Sequence, residues 1–113
     1  LFPYTTLFRS NEGDAVLVEI VRIMRQSIRP DDIIARWGGD EFVIMLESTT
    51  KDASALARRL SEALADRHVP CTLSIGIAAY VGGESLEQVI RKADSALYES
   101  KLHGRNRWTI YRE

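Results

Sequence analysis

The sequence predicts an α/β fold in which helices pack on a sheet of mixed direction. Segments with apolar residues at helical spacing alternate with short runs rich in β-branched and aromatic residues. Two of the short runs flank a Gly-Gly turn, which predicts a hairpin, and helices separate the others. The chain has 113 residues, of which 45% are apolar and 27% charged, so we expect one domain with a single modest core.

One helix and one hairpin occupy the first half of the chain. Asp14 is a candidate N-cap for an apolar stripe with helical spacing. The stripe consists of Leu17, Ile20, Val21, Met24 and Ile28. Pro30 ends this helix, and the run "DIIARW" then predicts a strand. A turn at residues 38–41 leads to a second strand at residues 42–46.

The second half alternates helices with single strands. A second helical stripe comprises Ala53, Leu56, Ala57, Leu60, Ala63 and Leu64. The run "CTLSIGIAAY" predicts a buried strand, and "RWTIY" predicts a last one. Between them, Ser85 and Gln88 form a capping box that begins a helix, and Gly104 is placed to end it. A strand ahead of the first helix would complete a ferredoxin-like βαββαβ core, extended by a C-terminal helix and strand.

The first ten residues, "LFPYTTLFRS", do not fit this pattern. They resemble the conceptual translation of a common sequencing-library adapter fused in frame to a truncated gene. We therefore expect residues 1–10 to be an artefact outside the domain, residues 11–113 to form the domain, and its first strand to be missing. The alternative is a genuine apolar strand or arm at residues 1–8 that covers a sheet edge.

Composition narrows the possible partners. The 15 Lys and Arg nearly balance the 16 Asp and Glu, so no overall basic field attracts nucleic acid, and any anion needs a local cluster. Cys71 is the single cysteine, which excludes an internal disulfide and favours a small core residue in a reducing compartment. Apolar runs such as "FVIML" are too short to span a membrane. We expect no membrane contact from this segment and a cytoplasmic location, although a longer protein could be anchored through other regions.

The hairpin turn in "IIARWGGDEFVIML" allows two interpretations. It could be a solvated turn whose glycines provide positive φ angles and whose acids face water. It could also be a nucleotide site, because small residues let phosphates approach the backbone and a neighbouring carboxylate can hold Mg²⁺.

Three motifs together resemble the GGDEF domains of diguanylate cyclases, which are related in fold to adenylyl cyclase catalytic domains. They are "RWGGDEFVIML", "CTLSIGIA" and "KADSALYESKLHGRNR", and the resemblance spans residues 11–112. It implies condensation of two GTP molecules into cyclic di-GMP with release of pyrophosphate. It also implies that each domain binds one GTP and faces a second GGDEF domain in a homodimer.

The resemblance assigns roles around the turn. Asp40 matches the metal-binding acid, which implies Mg²⁺ (or Mn²⁺) as cofactor, and Glu41 matches the neighbouring catalytic acid. Gly38 and Gly39 would let the nucleotide lie against the backbone. Asp14 matches the carboxylate that recognises the guanine edge, while the alternative role remains that of an N-cap.

Two further pairs follow from the resemblance. Lys101 and Arg105 match the residues that hold the terminal phosphates of GTP, although a last-turn lysine also complements the helix dipole. Arg29 and Asp32 match the Arg-x-x-Asp inhibitory site that binds cyclic di-GMP, and the alternative is a simple helix end.

One departure from the family concerns activity. The family's first strand supplies a second metal-binding aspartate, and an asparagine that contacts guanine follows it. Neither has a counterpart in "LFPYTTLFRS". We therefore expect little cyclase activity from the chain as written. The alternatives are a catalytically inactive GGDEF domain that binds cyclic di-GMP or GTP, and an interaction domain without a nucleotide.

Overall fold

The computed structural model describes residues 2–9, 14–38, 41–46 and 50–112. Five strands and three helices follow one another along the chain. They are β1 (Phe2–Arg9), α1 (Asp14–Ser27), β2 (Ile33–Gly38), β3 (Glu41–Leu46), α2 (Thr50–Asp66), β4 (Thr72–Ile77), α3 (Leu86–Leu102) and β5 (Arg107–Ile110). Every helix and strand predicted from residue 14 onward is present, with bounds shifted by a few residues at most.

The strands form one sheet in the order β2-β3-β1-β4-β5. β1 is antiparallel to both β3 and β4, β2 is antiparallel to β3, and β5 is parallel to β4. The first six elements therefore make the predicted ferredoxin-like βαββαβ core, and α3 and β5 extend it at one edge. In the described part of the chain, no helix has the length and hydropathy needed to cross a membrane.

The structure corrects the expectation for the first strand. That position is filled by Phe2–Arg9, which lies in the middle of the sheet, so it is neither empty nor an arm over an edge. Tyr4, for example, pairs with Ile44 on one side and with Ile77 on the other. The presence of a strand does not test whether residues 1–10 are translated adapter sequence, and that interpretation stays a prediction.

The main core lies between the sheet and helices α1 and α2. Alternate residues of β3 and β4 face it, as the two-residue period of a strand requires. Its buried members are Val16, Ile20, Ile23 and Met24 from α1, Phe42, Ile44 and Leu46 from β3, Ala53, Leu56, Ala57, Leu60 and Leu64 from α2, and Leu73, Ile75 and Ile77 from β4. Cys71 packs half-buried against this core, and burial raises the pKa of its thiol.

Helix α3 covers the opposite face of the sheet. It contacts β4, β1 and β5, and a small buried cluster of Ala78, Val89 and Ala93 forms beside Tyr111. Gly76 lies directly under this helix. The described residues therefore form three layers, with α1 and α2 on one face of the sheet and α3 on the other.

Candidate functional site

The hairpin turn joins the strands β2 and β3. Gly38 ends β2 and pairs with Glu41, the partly buried first residue of β3, and the register shifts between Arg36 and Gly38. Gly39 and Asp40 lie outside the described residues. The structure therefore confirms a hairpin with Gly38 and Glu41 at its end, and the roles assigned to these four positions stay predictions.

A cleft of about 350 Å³ lies between α1 and this hairpin. Leu17, Val18, Val21 and Arg25 of α1 and Ile34, Arg36 and Phe42 of the hairpin line it. Apolar side chains dominate the walls, and two arginines contribute positive charge. Asp14 is the first residue of α1, but its side chain lies outside the described part of the structure, and its role in recognising guanine stays a prediction. Sequence patterns alone indicated the helix and the hairpin but not the space between them.

The predicted phosphate-binding pair lies at the C-terminal end of α3. Lys101 is in the last turn, and His103 is the C-cap. Gly104 follows with a φ of 109°, and Arg105 also has a positive φ, at 64°. The amide of Arg105 donates to the carbonyl oxygen of Ser100 at 2.9 Å, and the amide of Gly104 donates to that of Lys101 at 3.4 Å.

These two hydrogen bonds constitute a Schellman motif, which explains why glycine follows the C-cap. The motif reverses the chain directly after the helix, and both basic side chains of the pair thus belong to one turn. Lys101 and Arg105 are each partly buried. The predicted helix end at Gly104 is therefore confirmed, and the phosphate-binding role of Lys101 and Arg105 stays a prediction.

Arg29 and Asp32 form a turn just after α1. The amide of Arg29 donates to Asp32 Oδ2 at 2.8 Å, and the amide of Asp32 donates to the carbonyl oxygen of Arg29 at 3.0 Å. The Arg29 side chain is exposed and both residues border a narrow cleft of about 80 Å³. These two bonds fix the Asp32 carboxylate against the backbone of Arg29, and the product-binding role of the two residues stays a prediction.

Sequence reasoning missed a basic residue that lines the same narrow cleft. Arg59 of α2 lines it together with Arg29 and Asp32, and its guanidinium donates to the carbonyl oxygen of Ser27 at 3.2 Å. In the sequence Arg59 is one of many charges on an exposed helix face. Only the packing of α1 against α2 brings it to Arg29, so no local signal could have identified it.

The described residues do not form a metal site by themselves. Among the described residues, no group of three or more His, Cys, Asp or Glu side chains could hold a cation. The segment that occupies β1, "FPYTTLFR", contains no acidic residue. The described residues therefore do not supply the second metal-binding carboxylate that the family resemblance led us to expect, and the metal-binding role of Asp40 stays a prediction.

Comparison with known proteins decides the family. A family model described as "Diguanylate cyclase, GGDEF domain" matches residues 8–107. The chain belongs to the GGDEF family. The curated relative diguanylate cyclase A of Treponema denticola is 38% identical over 107 residues, which cover 87% of this chain and 29% of the relative. The GGDEF chain thus spans less than a third of the length of this relative.

Solved GGDEF domains have the same fold. The active GGEEF domain of a diguanylate cyclase from Vibrio cholerae superposes with a TM-score of 0.87 at 26% identity, covering 99% of this chain and 83% of that one. A microbial GGDEF domain described in a novel interaction mode with bis-(3′,5′)-cyclic di-GMP also has a TM-score of 0.87 at 26% identity, covering 96% of this chain and 75% of that one. These likenesses confirm the α+β fold of the GGDEF family for this chain.

Proposed function

We propose that this GGDEF domain is the catalytic part of a diguanylate cyclase, which condenses two GTP molecules into cyclic di-GMP and releases pyrophosphate. The observation that carries the proposal is the family match over residues 8–107, within which the "GGDEF" signature is intact. In the proposed reaction two domains face each other. The 3′-hydroxyl of each GTP then attacks the α-phosphorus of the other, and the bond to pyrophosphate breaks.

The cleft between α1 and the hairpin suits the guanine base. Leu17 and Val18 offer apolar surface for a planar ring, and both belong to the helix whose first residue is Asp14. A carboxylate there would accept hydrogen bonds from the N1 and N2 hydrogens of guanine. Adenine has an acceptor at N1, so the same carboxylate would disfavour ATP.

The turn after α3 suits the terminal phosphates. Lys101 and Arg105 bring two positive charges to one turn, and a guanidinium can bind phosphate oxygens through two parallel hydrogen bonds. Gly38 and Gly39 would leave room for the triphosphate beside the hairpin backbone. The pair would bind GTP before and during the reaction, so its main effect is on substrate affinity.

Asp40 and Glu41 are the proposed acids of the reaction. With Mg²⁺ or Mn²⁺ bound, such carboxylates place positive charge beside the reacting phosphate oxygens. Because β1 carries no acidic residue, we expect the 113-residue chain to turn over little GTP.

The test is a comparison of two chains. The first is this chain, and the second is a chimera in which residues 1–13 are replaced by the first strand and loop of the Treponema denticola relative. Each is incubated with GTP and Mg²⁺, and the products are separated by chromatography. We expect cyclic di-GMP from the chimera and little from the parent. A chimera that binds GTP but forms no product would instead support a nucleotide-binding module.

Arg29 and Asp32 are proposed to bind the cyclic di-GMP product, with Arg59 bordering the same cleft. Guanidinium groups match phosphate and guanine acceptors, and a carboxylate can accept from guanine donors. About five extended residues, or roughly 17 Å, separate Asp32 from the turn, so product bound here would not touch GTP in the same domain. We therefore expect noncompetitive inhibition.

A further inference from the structure

We propose that Ser100 is a positioning residue for the phosphate-binding turn of this domain. The inference rests on the proposed role of Lys101 and Arg105 in binding the terminal phosphates of GTP. Ser100 would not contact the nucleotide. It would fix the end of α3 to the sheet so that both basic side chains are presented together.

The Ser100 side chain connects the helix to two strands. It is fully buried, and its hydroxyl donates to the carbonyl oxygen of Ile75 in β4 at 2.9 Å. The same oxygen lies 2.7 Å from the hydroxyl oxygen of Thr109 in β5. Because serine has one hydroxyl hydrogen, which Ile75 accepts, the Thr109 hydroxyl donates to Ser100. The last turn of α3 is therefore attached to the parallel pair β4–β5 at this point.

The Ser100 backbone connects the helix to the turn. Its carbonyl oxygen accepts a hydrogen bond from the amide of Arg105 at 2.9 Å. Of the two bonds of the Schellman motif, this is the one that spans more residues. One residue thus anchors the helix end with its side chain and Arg105 with its main chain. Lys101 is its immediate neighbour in the chain.

The turn needs such an anchor because its backbone is strained. Arg105 has a φ of 64° and Asn106 a φ of 48°, in the left-handed region, which is unfavourable for an arginine and is better tolerated by an asparagine. A turn of this kind persists only where surrounding contacts hold it. The Arg105 guanidinium would point to the phosphate only while the backbone keeps this conformation, and the bond to Ser100 is one of the contacts that maintains it.

A packing role alone does not explain the hydroxyl. Alanine would fit the same space and is the better helix former. A buried hydroxyl is tolerated only when it is hydrogen-bonded, and Ser100 makes two such bonds across three elements. The side chain is therefore suited to fixing geometry, and Ser100→Ala removes both bonds with little risk to the helix itself.

The test combines nucleotide affinity with amide exchange. Dissociation constants of GTP and GMP are measured by calorimetry for the parent chain, Ser100→Ala, Thr109→Val and Lys101→Ala. GMP has the same base but lacks the two terminal phosphates. We expect Ser100→Ala to weaken GTP binding by about threefold to tenfold, the factor that corresponds to one net hydrogen bond, and to leave GMP binding unchanged. Thr109→Val should shift GTP binding in the same direction.

Amide hydrogen exchange measures the stability of the turn after α3 in the absence of nucleotide. We expect the Arg105 amide to exchange faster in Ser100→Ala than in the parent, while amides at the start of α3 keep their rates. Val89→Ala is the matched control, because Val89 is fully buried in the same helix but far from its C-terminal end. It should lower the melting temperature and leave the ratio of GTP to GMP affinity unchanged.

Each outcome separates the two proposals. If Lys101→Ala weakens GTP binding but Ser100→Ala changes neither GTP affinity nor Arg105 exchange, the role of Ser100 is refuted and the proposed function stands. If the parent chain does not bind GTP, or Lys101→Ala binds it equally well, the proposed function of the turn fails, and the positioning role fails with it. A loss of GMP and GTP affinity by the same factor would reduce Ser100 to a general packing residue.

Discussion

Gly76 of β4 lies against the backbone of Leu97 in α3, with no space for a side chain between them. A Cβ atom built on Gly76 would overlap the carbonyl oxygen of Ala93 and the amide nitrogen of Leu97. This contact brings α3 close enough to the sheet for Ser100 to bond the carbonyl oxygen of Ile75. The close approach of α3 therefore explains why "CTLSIGIA" has a glycine at this position, although the helix lies about 20 residues further along the chain.

The first prediction is that Gly76→Ala destabilises the domain. The added methyl group must push α3 off the sheet, and overpacking of this kind lowers the free energy of unfolding by about 3 kcal/mol. Urea denaturation followed by circular dichroism measures the change. Gly82→Ala is the control, because a Cβ at Gly82 meets no atom within 4 Å and should leave the midpoint nearly unchanged.

The second prediction concerns the phosphates. Lys101→Ala and Arg105→Ala should each raise the dissociation constant of GTP about tenfold or more, since each removes a positively charged group that donates hydrogen bonds. In an active chimera the change should fall mainly on KM, with kcat nearly preserved. Lys51→Ala removes an exposed lysine from the first turn of α2 and is the control. An equal effect of the Lys51 substitution would indicate only a general loss of positive charge.

The third prediction tests Asp40. In the chimera that carries the first strand of the Treponema denticola relative, Asp40→Asn should abolish turnover, because the amide keeps the shape of the side chain but loses the charge needed beside the triphosphate. Initial rates of pyrophosphate release measure the effect. Activity within a few-fold of the unsubstituted chimera would remove Asp40 from the reaction.

The fourth prediction concerns product control. In the same chimera, Arg29→Ala should raise the cyclic di-GMP concentration at which the reaction stalls and leave the initial rate nearly unchanged. Arg29→Lys should behave like the alanine variant, because an ammonium cannot form the paired hydrogen bonds of a guanidinium. Calorimetry with cyclic di-GMP checks binding directly. If both variants bind the product as well as the parent does, the Arg29 segment is only a helix end.

The fifth prediction concerns acid stability. Glu84 pairs with Lys92 and accepts a hydrogen bond from the amide of Val81 at 2.8 Å, and these contacts lower the pKa of its carboxyl group. A lowered pKa in the folded state means that the contribution to stability is present above the ordinary pKa of glutamate and is lost as the pH falls through the lowered value.

Glu84→Gln should therefore lower the melting temperature at neutral pH, and its difference from the parent should shrink in acid. Melting curves between neutral and strongly acidic pH measure this trend. Glu87→Gln is the control, because Glu87 forms an exposed ion pair with Arg91 on the outer face of α3 and should have little effect at any pH. If the melting temperature of Glu84→Gln is below that of the parent by the same amount at every pH, the substitution has removed packing contacts and not a charge interaction.

Local features of the chain were predictable from the sequence. The capping box of Ser85 and Gln88 is present with both of its hydrogen bonds, and Gly104 follows the C-cap of the same helix. Such signals depend on residues three or four positions apart, so a short window contains all the information. The arrangement of Lys101 and Arg105 about one turn could be predicted for the same reason.

Features that depend on distant residues were not predictable. Arg59 lines the same cleft as Arg29 only because α2 packs on α1, and the apolar pattern of either helix does not reveal that packing. The central place of Phe2–Arg9 was also missed, because its residues have no clear alternation and a strand in the middle of a sheet is defined by the partners on both sides. Nothing in the sequence distinguishes Ser100 from other helical serines, because its hydrogen-bond partners belong to β4 and β5.

The position of β1 has a consequence for cooperativity. Because β1 lies between β3 and β4, the hairpin β2–β3 and the pair β4–β5 exchange no strand hydrogen bonds with each other. The partners of Tyr4 on the two sides, Ile44 and Ile77, are far from it in the sequence. Distant segments of the chain must therefore come together before the sheet can form. Folding should accordingly be slow for a domain of this size. In native-state hydrogen exchange, weakening β1 should therefore reduce the protection of amides in both β3 and β4.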